Sequence, residues 1–381
     1  MSKVSIARRC FNCGALLQHE EKEKDGYIED ERLLESNPGR ILFCDECYRE
    51  AGLDISIDPL EIDENQRTIL KDAVASDALI VYLIDSFSFE SSFVKEVNEL
   101  IKRNPILVLA NKSDLFKDYL TDKDLKEYIA HRFRVSGLPL SEEEVLLVSL
   151  KTFTDFKNVY EEIEARRKRH DVFVISPKGS GKNMFFSSYL YSYKNVSDYP
   201  VRTEIYKGTD FQGLKIPLDN SSFIFDTPSL PISNSVLDKV DRLTRIALAN
   251  EEKIISSKHS LKKEEALALG NICFIEPISI KGKEEKLTLY VSEKVTSKVI
   301  SMSKGFEKAF DHISNKKHTF PRGASISSLK DFDALEIEVE EKGNRSIGIE
   351  GLGWISFAGD KQVYRIYVPK GVSIYTSRSK I

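Results

Sequence analysis

Short apolar runs, each closed by polar residues, alternate with amphipathic stretches through the middle of this chain. Ala78–Asp85, Ile106–Ala110, Val145–Val148, Val172–Ile175 and Phe223–Phe225 are almost continuously apolar. Runs of this length, bounded by turn residues, read as strands buried on both faces. Between them, Phe93–Lys102, Asp122–Phe133 and Phe156–Lys168 carry apolar residues at helical spacing. The alternation predicts an α/β domain over residues 61–235, a mostly parallel sheet with helices on both faces.

The flanks follow other patterns. Residues 1–60 lack long apolar runs and contain paired cysteines. Val236 to Gly270 reads as largely helical and charged. Beyond it Leu287–Val291, Leu335–Val339, Ser346–Phe357 and Val363–Val368 favour strands, punctuated by Gly348, Gly351, Gly353 and Gly371. Residues 236–381 are therefore expected to form a helical linker and a β-rich α+β domain.

The polar residues that close the strands carry the candidate chemistry, where an open parallel sheet binds its ligands. After Ile106–Ala110 comes Asn111-Lys112-Ser113-Asp114. A carboxylate at Asp114 suits guanine, which offers N1–H and an exocyclic amine, whereas adenine offers neither there. The Asn111 amide can bond the other edge of the base, and the Lys112 stem can lie over its face. Alone, the tetrapeptide is equally a loop with an asparagine turn. Ser149-Leu150-Lys151 follows the next strand and matches a weaker base-supporting motif.

After Val172–Ile175 comes Ser176-Pro177-Lys178-Gly179-Ser180-Gly181-Lys182-Asn183. A phosphate-binding loop reads Gly-x-x-x-x-Gly-Lys-Ser/Thr, with backbone N–H groups cradling phosphates and the hydroxyl on magnesium. Gly179, Ser180, Gly181 and Lys182 fit; Ser176 replaces the first glycine, and Asn183 replaces the hydroxyl. The competing structural reading is a glycine-rich strand-to-helix turn. Thr209 in Lys207-Gly208-Thr209 and Asp226 in Asp226-Thr227-Pro228 are candidate magnesium contacts with Asn183. Lys182, Thr209 and Asp226 are the candidate catalytic set. Ser229 and Leu230 stand where many GTPases carry a glycine and a water-orienting glutamine. In small GTPases the phosphate loop precedes the guanine motif. Here the order is reversed, as in a circularly permuted chain.

Composition constrains this reading without redirecting it. The chain has 381 residues, 41% hydrophobic and 30% charged, as expected for two or three soluble domains. No apolar stretch approaches the ~18–20 residues of a membrane helix, and Met1–Arg9 lacks the apolar core of a secretory signal. A cytoplasmic monomer with no membrane partner is expected. From Glu251 onward 22 basic residues face 18 acidic ones, against 34 and 42 before it. A basic final third with interleaved aromatics is compatible with an RNA-facing surface or with an ordinary solvated face.

Cys10-Phe11-Asn12-Cys13 and Cys44-Asp45-Glu46-Cys47 lie thirty residues apart. Two CxxC turns supply the four thiolates of a tetrahedral structural zinc (Zn2+), which would provide folding energy that so small a segment lacks. Redox chemistry and coincidental spacing are the alternatives. Cys273, in an apolar run, reads as core.

Together these residues resemble, over nearly the full length, the YqeH family of circularly permuted GTPases. The carriers are Cys10, Cys13, Cys44 and Cys47, then Asn111–Asp114, Ser149–Lys151, Gly179–Lys182, Thr209 and Asp226. Gly351-Leu352-Gly353-Trp354 and Val368-Pro369-Lys370-Gly371-Val372-Ser373 also resemble that family's ending. The resemblance implies binding of GTP or GDP with magnesium (Mg2+), and a role in assembling the small ribosomal subunit, with rRNA or ribosomal protein as partner. It also implies asparagine at Gly179, serine at Asn183 and glycine at Ser229, all changed here. Guanine reading is retained while phosphate and metal positions depart. A nucleotide-dependent assembly factor, with or without hydrolysis, stands beside two alternatives. One is a degenerate GTPase serving as an RNA- or protein-binding scaffold. The other is a zinc-dependent nucleic-acid regulator.

Overall fold

The five apolar runs lie side by side in one sheet. In the computed structural model, residues 10, 15–28, 44–45, 60–90, 93–151, 156–193, 202–249, 253–280, 282–316, 318–323, 326–339 and 342–379 are described. The runs form parallel strands β1 (Leu79–Asp85), β2 (Ile106–Asn111), β3 (Val145–Leu147), β4 (Val172–Ile175) and β7 (Phe223–Asp226). Antiparallel β5 (Arg202–Ile205) and β6 (Gln212–Pro217) complete seven strands in the order β3-β2-β1-β4-β7-β6-β5. The chain winds outward from β1 to β3, returns to place β4 on the other side of β1, then crosses to the far edge at β5 and comes back inward through β6 to β7 beside β4. The reversal at β1 opens a crevice at the carboxyl ends of β1 and β4.

Alternating side chains of β1 serve two cores. Ile80, Tyr82 and Ile84 pack with α1 (Glu64–Ala75), α2 (Lys95–Ile101) and α3 (Asp122–Val135) through Ile69, Val97, Ile129 and Phe133. Leu79, Val81 and Leu83 face α4 (Phe156–Arg167) and α5 (Lys182–Tyr193) through Val159, Ile163, Phe185 and Tyr189. Helices thus cover both faces, and each buried aliphatic or aromatic side chain contributes roughly 1.5–3 kcal/mol. Helix α1 starts at a capping box in which Asp63 accepts from the Gln66 N–H and Gln66 accepts from the Asp63 N–H.

The C-terminal region contains two five-stranded antiparallel sheets. One runs β12 (Ser297–Ser301), β9 (Glu265–Leu269), β10 (Cys273–Ser279), β16 (Gln362–Pro369), β13 (Phe332–Val339). The other runs β17 (Ile374–Arg378), β14 (Gly343–Ile349), β15 (Gly353–Gly359), β11 (Glu285–Ser292), β8 (Ile254–Leu261). Leu267, Ile275 and Ile366 of the first share a core with Leu289, Ile347 and Ile355 of the second. Helix α7 (Phe306–Ser314) covers the first sheet's other face, packing on Phe274 and Tyr367.

The helical expectation for Val236–Gly270 is corrected. Among the described residues only α6 (Arg242–Ala249) and a 3-10 turn at Val236–Asp238 are helical there, and residues 254–261 and 265–269 form β8 and β9. In β8, exposed Ser256, Lys258 and Ser260 alternate with half-buried Ile255, Ser257 and His259. Polar residues on both faces hide a period of two. Ser346–Phe357, read as one β-prone stretch, is a hairpin of β14 and β15 turning at Gly351.

Candidate functional site

Asn111 ends β2 at 6% exposure and joins three motifs. Its side-chain amide donates to the Ser180 carbonyl at 3.0 Å, and its side-chain oxygen accepts from the Leu150 N–H at 3.0 Å. The guanine-type tetrapeptide, the Ser149–Lys151 segment and the glycine-rich loop are therefore mutually hydrogen-bonded. Gly181 makes this approach possible: it has φ +100°, and a Cβ there would lie 2.6 Å from the Asn111 amide nitrogen.

Lys112 adopts a left-handed conformation, φ 62° and ψ 25°, unusual for a lysine. Its ammonium lies 2.6 Å from a carboxylate oxygen of Asp85, the last residue of β1. The other Asp85 oxygen accepts the Phe87 N–H at 3.0 Å, and the Ser86 N–H donates to the Asn111 carbonyl at 2.9 Å. Asp85 was passed over in the motif reading, where it is merely the polar end of an apolar run. Asp114 is half-buried in the 3-10 turn Ser113–Phe116, which Ser113 ties to the Val148 carbonyl at 3.1 Å. Lys151 is exposed and Ser149 half-buried.

Beneath the loops that follow Asp85 and Asn111 lies a stack of aromatic rings. Phe116, two residues after Asp114, stacks on Trp354 of β15 with centroids 6.1 Å apart and planes inclined 16°. Phe87, two residues after Asp85, meets the same indole edge-on at 5.6 Å. Tyr290 of β11 stacks with Trp354 at 5.2 Å and 12°. The Tyr119 hydroxyl donates to the Ile254 carbonyl at 2.9 Å. Phe116 is fully buried and Trp354 is 1% exposed.

At the other end, Gly179 takes φ +92° and α5 starts at Lys182. The Lys182 ammonium lies 2.9 Å from an Asp226 carboxylate oxygen and donates to the Thr227 carbonyl. Thr227 in turn donates to the Val174 carbonyl at 2.8 Å, holding β7 against β4. Ser176 is fully buried, and its hydroxyl has no hydrogen-bond partner among the described residues. Its carbonyl accepts from the Leu230 N–H at 2.8 Å, while the Leu230 carbonyl accepts from the Lys178 N–H at 3.2 Å. Six residues on, the Val236 N–H donates to Glu350 of the C-terminal sheet at 2.9 Å. Asn183 is exposed.

Thr209 lies in the turn joining β5 to β6, at the same end of the sheet as Asp226. Its hydroxyl donates to the Tyr206 carbonyl at 2.9 Å and accepts from the Phe211 N–H at 3.2 Å. Burial pushes the Tyr206 phenol above its ordinary value, with Asp72 adding to the shift. The first turn of α1 touches both neighbouring segments: Asn65 bonds Asp210, and the Gln66 amide donates to the Ser229 carbonyl at 2.6 Å. Gln66 was not anticipated as a contact of the Ser229 segment.

Cys10 and Cys44, each 2% exposed, meet through a Cys44 N–H donated to Cys10 Sγ at 3.3 Å. Cys13 and Cys47 lie outside the described residues. Among the described residues no three His, Cys, Asp or Glu side chains gather as a metal site. Cys10 and Cys44, one from each CxxC segment, lie together with a backbone N–H on one sulfur. No helix among the described residues is long and apolar enough to cross a membrane.

No family profile matches the chain. An uncharacterized Bacillus subtilis protein named YqeH is 23% identical over 372 residues, covering 98% of this chain and 99% of its own. The NO-associated protein 1, chloroplastic/mitochondrial, of Arabidopsis thaliana is 24% identical over 201 residues, covering 48% of this chain and 34% of its own.

Proposed function

We propose that the chain is a member of the YqeH family, being similar to the Bacillus subtilis YqeH protein over 98% of its length, and that it binds a guanine nucleotide and serves assembly of the small ribosomal subunit. Support for nucleotide binding comes from Asn111, which bonds the loop at Ser180 and the segment at Leu150 together. A base held at Asp114 and phosphates held near Gly179–Lys182 then belong to one ligand. The motif order, base reader first, fits a circularly permuted GTPase.

In this reading the Asp114 carboxylate accepts the guanine N1–H and exocyclic amine. Asp85 holds the Lys112 stem over the base face. Backbone N–H groups of the loop and the start of α5 face the phosphates. Lys182 leaves Asp226 for the outer phosphates, and its charge offsets theirs. Magnesium arriving with the nucleotide would meet only oxygen donors, Asp226, Asn183 and Thr209, which suits a hard cation. Its chemistry is neutralisation of phosphate charge. Leu230 has no polar group to orient water and the Ser229 hydroxyl is too weak a base to deprotonate it, so unaided GTP hydrolysis is expected to be slow. Cys10, Cys13, Cys44 and Cys47 would hold a zinc that stabilises the N-terminal segment.

The departures at Ser176, Gly179, Asn183 and Ser229 favour a second reading, a degenerate scaffold that binds RNA or protein without nucleotide. Titration of the full chain with GDP and magnesium separates the two: saturable micromolar binding is expected, and none at millimolar nucleotide leaves the scaffold. Co-sedimentation with small ribosomal subunits, with GTP and then GDP, tests the partner.

A further inference from the structure

Both residues that would contact the base are propped by loops that converge on one side chain of the C-terminal sheet. Asp114 lies two residues before Phe116, and Lys112 is held by Asp85, two residues before Phe87. Phe116 stacks on one face of Trp354, at 6.1 Å, and Phe87 meets it edge-on at 5.6 Å. Tyr290 supports the indole at 5.2 Å. All four rings belong to one buried cluster that also contains the core of the seven-stranded sheet. We infer that Trp354 is a positioning residue for guanine recognition: the C-terminal sheet sets the height and tilt of the Asp114 turn through Phe116, and of the Lys112 stem through Phe87 and Asp85. The inference rests on the guanine-nucleotide reading and deepens it.

The physical reason is geometric. A carboxylate discriminates guanine only while both its oxygens face the two donors of the base, and hydrogen bonds weaken steeply below ~120°. A 3-10 turn of four residues has little intrinsic rigidity. Stacked rings at 6.1 Å and 5.2 Å provide the stiffness that the turn lacks. The base reader and the C-terminal sheet therefore act as one unit.

The test compares GDP with inosine diphosphate, which lacks the exocyclic amine, on full-length protein. Wild type is expected to prefer GDP, and Trp354→Ala to lose about tenfold of that preference. Trp354→Phe should restore most of it. Phe274→Leu, in the separate cluster under α7, should lower stability while leaving the preference intact. Unchanged preference in Trp354→Ala, or equal loss in Phe274→Leu, would overturn the inference while leaving nucleotide binding standing. If Trp354→Ala does not fold, Phe116→Leu decides: it removes the ring that stacks on Trp354, and an unchanged preference for GDP in that variant overturns the proposal. Absence of any GDP binding by the wild type ends the nucleotide reading, and this inference with it.

Discussion

The Asn111 side-chain amide donates to the Ser180 carbonyl at 3.0 Å across 69 residues of sequence. Its oxygen meanwhile accepts the Leu150 N–H at 3.0 Å. One buried amide thus satisfies two backbone groups from two different loops, beside the crevice between β1 and β4.

Asn111→Ala would leave both backbone groups without their partner. Each such loss costs about 1–3 kcal/mol when the group is buried, so a destabilisation of about 2 kcal/mol is expected in urea unfolding. An unchanged midpoint would show that water replaces the amide freely, and that the loops are not tied through this side chain.

Asp114→Asn turns an acceptor into a group that can donate. The variant should lose about 100-fold or more in GDP affinity and gain affinity for xanthosine diphosphate, whose second carbonyl accepts from the new amide. Competition binding with both nucleotides reads this directly. Parallel loss of both would argue that the turn does not touch the base.

The Lys182 ammonium lies 2.9 Å from an Asp226 carboxylate oxygen. Asp226→Asn removes the anion that competes with phosphate for Lys182 and also the only carboxylate in the candidate magnesium set. Affinity for GDP should therefore stay level or rise in EDTA and fall in magnesium. A variant weakened equally in both conditions would assign Asp226 a purely structural role.

Full-length protein purified without chelator should carry one zinc per chain by elemental analysis. Cys10→Ser should lose it, and Cys44→Ser likewise. Metal-free wild type, purified under reducing conditions, would remove the zinc reading altogether.

Glu285 is 7% exposed, with the Tyr364 hydroxyl donated to it at 2.9 Å. Burial raises its carboxyl above the ordinary 4.5, against the opposing pull of Tyr364 and Gln362. A native state that holds the proton more tightly than the unfolded chain loses stability as pH rises from about 4.5 through the raised value. Glu285→Gln should flatten that decline and raise stability at neutral pH. Denaturation midpoints at about pH 5 and about pH 8 would expose a contrary slope.

The parallel strands were legible because both faces are buried, so Leu79 through Ile84 form one unbroken apolar run. The candidate motifs stood out because each closes such a run, and the bonds of Asn111 to Ser180 and Leu150 show that three of them meet. Where residues had to satisfy water on one side, the signal weakened: Ser256, Lys258 and Ser260 made β8 resemble a charged helix. Helix α1 was missed, although Asp63 and Gln66 write its capping box plainly. Contacts at long sequence separation left no local trace. Nothing around Phe116 announces Trp354, and nothing around Lys112 announces Asp85.

The stretch from Leu230 to Val236 is anchored at both ends by main-chain hydrogen bonds, on Ser176 and on Glu350. Six residues reach at most ~20 Å when drawn straight. That length bounds how far Leu230 can leave the glycine-rich turn before it draws on the C-terminal sheet, so the polypeptide itself is a mechanical link between the two halves of the molecule.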